Sequence, residues 1–225
     1  MSDIVIRPPR RPYLVADFGP RDFLLDGQAF TRVDFKLTND HGHLLECSHF
    51  LPRGEKGQPL PQVPCVVYLH GNSSARVEAF DVLPWLLPRG VSVLCFDFAG
   101  SGHSGGQYVS LGYFEQHDLR IVVDYLRDNG AASAVALWGR SMGAATAALY
   151  AAGDRGLAAC VMDSPFVSFV QLAEDLAASG PIRLPGFVVR WAIQEVRREV
   201  LARAEFDVEE LAPVEGARLP ACPAL

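Results

Sequence analysis

The sequence predicts an α/β architecture: a doubly wound, mostly parallel sheet with an N-terminal antiparallel hairpin and a helical insertion after the sixth strand. Two observations carry this. Residues 65–69, 91–96, 134–138 and 157–162 are short, almost wholly apolar runs rich in Val, Leu and Ala, as expected of strands covered on both faces. Helix-length segments, near 75–88, 113–128 and 142–152, alternate with them. Right-handed crossovers turn such an alternation into a sheet with helices on both sides.

Ahead of this unit, the alternating runs 31–37 and 44–51 flank Asn39-Asp40-His41-Gly42, the pattern of a hairpin. Residues 1–30 are punctuated by Pro and Gly and read as an arm lying on a domain that occupies 31–225. The basic cluster Arg7, Arg10 and Arg11 is diluted by prolines and reads as solvated, extended chain. Beyond Ser164 the alternation lapses. Residues 164–221 read as a lid-like helical insertion, with helices near 166–178 and 186–203, the second placing Val189, Ile193, Val196 and Val200 on one face.

A chain of 225 residues is sized for one domain with a large core. Its net charge of −6 gives no basic footprint for nucleic acid. No charge-free run approaches the length of a transmembrane helix. The five widely spaced cysteines (47, 65, 95, 160 and 222) suit small core residues more than a disulfide framework, which points to a reducing, cytoplasmic setting. His43, Cys47 and His49 share a strand face. Along a strand His43 and Cys47 lie roughly 13 Å apart, too far for one metal ion, so no metal or cofactor is expected.

The segment Gly139-Arg140-Ser141-Met142-Gly143 has the form G-x-S-x-G, and its context gives it meaning. An apolar strand runs straight into it, and an Ala-rich helix leaves at once. A serine there sits at the tip of a strained turn with φ above zero, which demands small neighbours two residues away on either side. Ser141 is thus the candidate nucleophile. The N–H of Met142, at the positive end of the helix, is a candidate oxyanion donor.

Two upstream loops complete the pattern. His70-Gly71-Asn72 ends the first parallel strand, where a second oxyanion donor is needed; the Asn72 N–H is the candidate, with His70 fixing the loop. Asp97-Phe98-Ala99-Gly100-Ser101-Gly102-His103-Ser104-Gly105 contains a literal G-x-G-x-x-G. A dinucleotide site needs a helix opening within those glycines and an acid ending the next strand, and this sequence offers neither. His103 and His117 read as loop and helix-surface residues. Asp163, in Asp163-Ser164-Pro165, reads as fixing a turn.

These motifs resemble the α/β-hydrolase superfamily, most closely its serine aminopeptidase-like and depalmitoylase-like domain proteins. The resemblance rests on His70-Gly71-Asn72, on Asp97, Gly100, Gly102 and Ser104, on Gly139 to Gly143, and on Asp163-Ser164-Pro165-Phe166, and covers residues 32–225. It implies a serine hydrolase acting on an ester, thioester or amide, with small-molecule, acyl or peptide substrates. It also implies a triad in the order Ser, acid, His. No histidine follows His117, and the next strand would begin at Cys222. The expectation is therefore a truncated copy lacking acid and base, or a degenerate paralogue that binds a ligand or partner without catalysis. The 157–162 strand is then expected to have an incompletely paired edge and an accessible Cys160.

Overall fold

The computed structural model describes residues 2–54, 57–60, 62–179, 185–217 and 222–225. Residues 180–184 and 218–221, which fall within the expected insertion 164–221, lie outside the described residues.

Seven strands form one sheet: β1 (Asp22–Leu25), β2 (Gln28–Thr38), β3 (Leu44–Pro52), β4 (Cys65–Leu69), β5 (Ser92–Phe96), β6 (Val135–Arg140) and β7 (Leu157–Asp163). Their spatial order is β1-β2-β3-β5-β4-β6-β7. Strands β5, β4, β6 and β7 are parallel to one another, while β1–β2, β2–β3 and β3–β5 pair antiparallel. The hairpin β2–β3 falls where its alternation predicts. Strand β1 is an addition, so the insertion follows the seventh strand rather than the sixth.

The apolar strands feed two cores. Val67, Leu69, Leu94, Phe96 and Leu137 face α3 (Glu115–Asp128) and α4 (Met142–Ala151). Tyr68, Val93 and Cys95 face the connection between β4 and β5. On α3, Leu119, Val122, Val123 and Leu126 recur at helical spacing and are fully buried. The connection 75–88, expected as one helix, is instead broken into a 3₁₀ turn (Arg76–Asp81), the four-residue α2 (Leu83–Leu86) and a second 3₁₀ turn (Leu87–Arg89). Pro84 and Pro88 lack the N–H that a continuous helix would require there.

The first 30 residues are bound more closely than an arm. The short helix α1 (Ser2–Ile6) places Ile6 in the core, and Tyr13 and Phe18 enter the opposite one. Arg10, expected in solvated chain, grips the glycine loop after β5. Its guanidinium donates to the carbonyls of Gly102 (3.1 Å), Ser104 (2.6 Å) and Gly106 (2.6 Å).

After β7 come α5 (Phe169–Ser179), α6 (Gly186–Ala204) and α7 (Pro213–Ala217). On α6, Ile193 and Val200 are buried and Val189 and Val196 half-buried, whereas Phe187 and Trp191 are exposed. Phe206, Val208 and Leu211 join the main core, so the stretch before α7 packs as part of the domain. Among the described residues no helix is long and apolar enough to cross a membrane, and no cluster of His, Cys, Asp or Glu could hold a metal.

Residues 222–225 continue the sheet beside β7. The N–H groups of Cys160 and Met162 donate to Pro223 and Leu225 carbonyls at 2.9 and 2.8 Å. Cys160 is consequently 1% exposed, not accessible: its side chain points into the core, and Cys222 is buried near it. Burial pushes the Cys160 thiol up to about 12. Native Cys160 should therefore resist alkylation at neutral pH. Deleting residues 222–225 should speed its modification at least ~10-fold, read by peptide mass spectrometry.

A second expectation comes from Asp118, buried in the first turn of α3. It accepts from Asn39 Nδ2 (2.7 Å) and the Ala99 N–H (2.8 Å), tying the hairpin turn to the loop after β5. Burial, reinforced by nearby Glu115 and only partly offset by those donors, raises its carboxyl to about 7. The folded value lies above the unfolded one, so the native chain holds an extra proton between them. Its contribution is full below about pH 4 and declines as pH rises through the folded value, by about 1 kcal/mol per unit. The difference in thermal stability between wild type and Asp118→Asn should shift in that sense from pH 4 to pH 8.

Candidate active site

The strand order reverses at β4: the chain steps from β4 to β5 on one side, then crosses to β6 on the other. In open α/β sheets, crevices form at such a point, outside the carboxyl ends of the strands. Here β4 and β6 are paired through Leu69 and Gly139, so the loops that follow them lie side by side. One carries His70, Gly71 and Asn72; the other carries Ser141.

Ser141 has φ 52° and ψ −111°, between the end of β6 and the first residue of α4. Its N–H donates to the Asp163 carbonyl at 2.8 Å, and its side chain is exposed. Both glycines are required by contact. A Cβ on Gly139 would stand 2.2 Å from the Gly143 oxygen, and one on Gly143 would stand 2.0 Å from the Leu69 oxygen. Met142 is the first residue of α4, where N–H groups have no partner within the helix.

The loop after β4 uses its donors one by one. The Gly71 N–H donates to Glu78 Oε1 (3.2 Å), Ser73 N–H to Asn72 Oδ1 (2.9 Å) and Ser74 N–H to the Gly71 carbonyl (3.2 Å). Among the described residues, the Asn72 N–H alone in this turn is left without a protein acceptor. His70 is fully buried; its Nδ1 bonds the Gly71 carbonyl (2.8 Å), and its Nε2 accepts the Phe98 N–H (3.2 Å). Burial lowers its pKa, so the imidazole is neutral and both nitrogens are committed to holding the loop.

Asp97 organises the glycine loop. Its carboxylate accepts from the Tyr13 hydroxyl (2.6 Å) and the N–H groups of Arg76 (2.7 Å) and His103 (2.9 Å). Its carbonyl accepts the Ser104 hydroxyl (2.6 Å). A Cβ on Gly102 would lie 2.3 Å from the Asp97 carboxyl carbon, and one on Gly100 the same distance from the Tyr108 carbonyl oxygen. These glycines let the loop fold over a carboxylate, and no helix opens until α3.

Asp163 takes the Ser164 hydroxyl (2.8 Å) and offers its carbonyl to Ser141. His103 stacks on Tyr13 and His117 lies exposed on α3. His49 is buried against Ser92 and Cys65, and burial lowers it to about 4. Among the described residues, no histidine or carboxylate is hydrogen-bonded to the Ser141 hydroxyl. A cavity of about 220 Å³, lined by Asn39, His41, Tyr108, Phe114 and Phe206, lies behind the glycine loop and does not include Ser141.

Sequence reasoning missed Tyr13, Arg76 and Glu78. Arg76 is 2% exposed, lies against Tyr13 and Phe18, and pairs with Glu46 at 3.5 Å. Glu78 is buried beneath the Gly71 turn. The available signal was two opposite charges alternating with Ala75, Val77 and Ala79 directly after a catalytic-type loop.

Residues 61–211 match the serine aminopeptidase S33 hydrolase family. The chain belongs to that family. The uncharacterised YqkD of Bacillus subtilis is 33% identical over 160 residues, 69% of this chain and 50% of YqkD. YfhR of Salmonella typhimurium is 26% identical over 71% of this chain and 55% of its own length. The chain thus spans about half the length of the curated relatives it matches. Among solved structures, an esterase of Pyrococcus furiosus, Pf2001, superposes with TM-score 0.66 at 24% identity, covering 98% of this chain and 75% of the esterase. An acetyl xylan esterase from Paenibacillus sp. R4 gives 0.63 at 19% identity, over 85% and 66%. The fold is that of the α/β hydrolases.

The close approach at Gly143 gives a direct test. Gly143→Ala must push α4 off the end of β4, so it should lower stability by about 3 kcal/mol in chemical denaturation. Ala144→Gly, one residue on, should cost only about 1 kcal/mol through helix propensity.

Proposed function

We propose that this chain carries the nucleophile and oxyanion hole of a serine hydrolase acting on an ester, thioester or amide. The observation that supports this best is the elbow: Ser141 exposed at φ 52°, at the sheet's switch point, where the paired ends of β6 and β4, Gly139 and Leu69, lead into the Ser141 and Asn72 loops. In this reading the Ser141 Oγ attacks the substrate carbonyl carbon, its proton passes to a base, and the oxyanion receives the Met142 and Asn72 N–H groups. Collapse expels the alcohol, thiol or amine, which takes that proton. Water then hydrolyses the acyl-serine. Gly139 and Gly143 permit the geometry; His70, Gly71, Asp97, Gly100, Gly102 and Ser104 hold the two flanking loops.

The reading leaves the orienting acid and the histidine base unassigned among these 225 residues, in which no histidine follows His117. A cytoplasmic setting accompanies it, supported by five buried, unpaired cysteines. One observation favours a second reading, a ligand-binding module without catalysis: among the described residues no base touches the Ser141 hydroxyl.

Labelling by a fluorophosphonate probe separates them. A protein extended to include an acid and a histidine should label at Ser141, and Ser141→Ala should abolish the label. Residues 1–225 alone should label at least ~10³-fold more slowly. Failure of the extended protein to label would favour the binding module. Equal rates would show that a group within residues 1–225 acts as the base.

A further inference from the structure

One buried carboxylate touches both halves of the site without belonging to either motif. Glu78 sits in the 3₁₀ turn Arg76–Asp81, whose residues 76–79 are all buried. Its Oε1 accepts the Gly71 N–H at 3.2 Å and the Tyr68 hydroxyl at 3.0 Å. Its Oε2 faces the guanidinium of Arg140, the residue before the nucleophile, at 3.8 Å. The point a Cβ on Gly71 would occupy is 3.8 Å from both Glu78 Oε2 and the Ser141 Cβ. Glu78 therefore lies directly behind the seam where the loop after β4 meets the elbow.

We propose that Glu78 is a positioning residue for the oxyanion hole: it holds the Gly71 peptide so that the adjacent Asn72 N–H stays aimed beside Ser141. This deepens the serine-hydrolase reading and rests on it. Gly71 has no side chain to anchor it, and the Asn72 side chain is spent on Ser73. The turn's orientation thus depends on its backbone bonds, and Glu78 supplies the bond on the side facing away from the substrate. Tyr68, projecting from β4, fixes Glu78 in turn. Burial first, then the neighbouring carboxylate, raises the Tyr68 pKa and keeps its phenol a donor. Capturing the Gly71 N–H has a second consequence. It removes that donor from competition, so a substrate oxygen meets the Asn72 N–H. A misplacement of about 1 Å in such a donor costs roughly 10²-fold in rate.

The test uses the extended protein with Ser141→Ala, Glu78→Ala and Glu78→Gln, the last keeping an acceptor of the same reach without the charge. Three quantities are read: amide exchange at Gly71, kcat and KM on an aryl ester, and the rate of fluorophosphonate labelling at Ser141, all well below each variant's melting temperature. Glu78→Ala should speed Gly71 exchange at least ~10-fold and lower kcat and labelling ~10- to 100-fold with KM nearly unchanged. Glu78→Gln should restore kcat to within about threefold of wild type. If Ser141→Ala retains activity and label, the serine-hydrolase reading fails and the positioning role with it. If Ser141→Ala is dead but Glu78→Ala keeps wild-type kcat, the hydrolase reading stands and the role of Glu78 is overturned. Equal losses in Glu78→Ala and Glu78→Gln would overturn it as well, because charge rather than placement would then matter.

Discussion

Everything at the carboxyl end of this sheet follows from one close contact: the first turn of α4 lies against the last carbonyl of β4. A single methyl group on Gly143 would stand 2.0 Å from the Leu69 oxygen, and one on Gly139 would meet Gly143 itself. With both methyls absent, the helix begins immediately beside the loop that follows β4. Ser141 must then take a left-handed φ to complete the turn, and the Asp163 carbonyl secures its N–H from the next strand. The strain of such a residue, of order 1–3 kcal/mol, is sustained by the pairing of β6 with β4 and β7 on its two sides. In the proposed reading, this contact is what sets the Met142 and Asn72 N–H groups beside Ser141.

The loops around that place are held by buried carboxylates that bond backbone N–H groups. Asp97 takes Arg76 and His103; Glu78 takes Gly71; Glu115 takes Ser110 and Gly112; Asp118 takes Ala99. Each side chain does for a loop what a neighbouring strand does for a strand. Where the group is ionised, such a charge-assisted bond is about twice as strong as a neutral one, and leaving the buried carboxyl without it would be costly. These loops are therefore rigid by construction. Arg10 extends the scheme in the opposite sense, presenting a cation to four loop carbonyls. That contact explains why a segment rich in Pro and Arg is anchored to the domain.

The parallel half of the fold was legible because a strand buried on both faces leaves an unambiguous apolar run, and the elbow because its glycines have no substitute. His70 could be placed as a loop residue from its position at a strand end. Other features depended on tertiary partners that one segment cannot announce. Strand β1 is four residues long, and its alternating burial is hidden in the sequence because Leu24 stands at an exposed position. The connection after β4 has a helix's composition, yet two prolines break it. Residues 222–225 pair beside β7 where the sequence places the start of the next strand, but Cys160, expected to be accessible, is buried because its side chain turns into the core. Glu78 and Asp97 differ in the same way. Asp97 sits in a recognisable loop, whereas Glu78 is marked only by being charged in a segment that is otherwise buried.

A cluster of carboxylates behind the proposed oxyanion site raises an electrostatic question. At about 8 Å and an effective dielectric near 20, one unit charge disfavours an anion by about 2 kcal/mol. A well-aimed oxyanion donor contributes about 3–4 kcal/mol. Direct donors therefore outweigh a single uncompensated carboxylate, but not several. The structure places a cation against the two nearest. Arg140 faces Glu78, and Arg76, buried between Tyr13 and Phe18, is drawn to Asp97 and Glu46 and has its own charge stabilised by them. Each carboxylate then orients a backbone amide while a neighbouring cation offsets part of its charge. In the proposed reading, the positive end of α4 and the Met142 and Asn72 N–H groups then supply the favourable field for an anion at Ser141. The same arrangement explains why a buried arginine, Arg76, accompanies a loop whose visible chemistry consists of glycines and an asparagine.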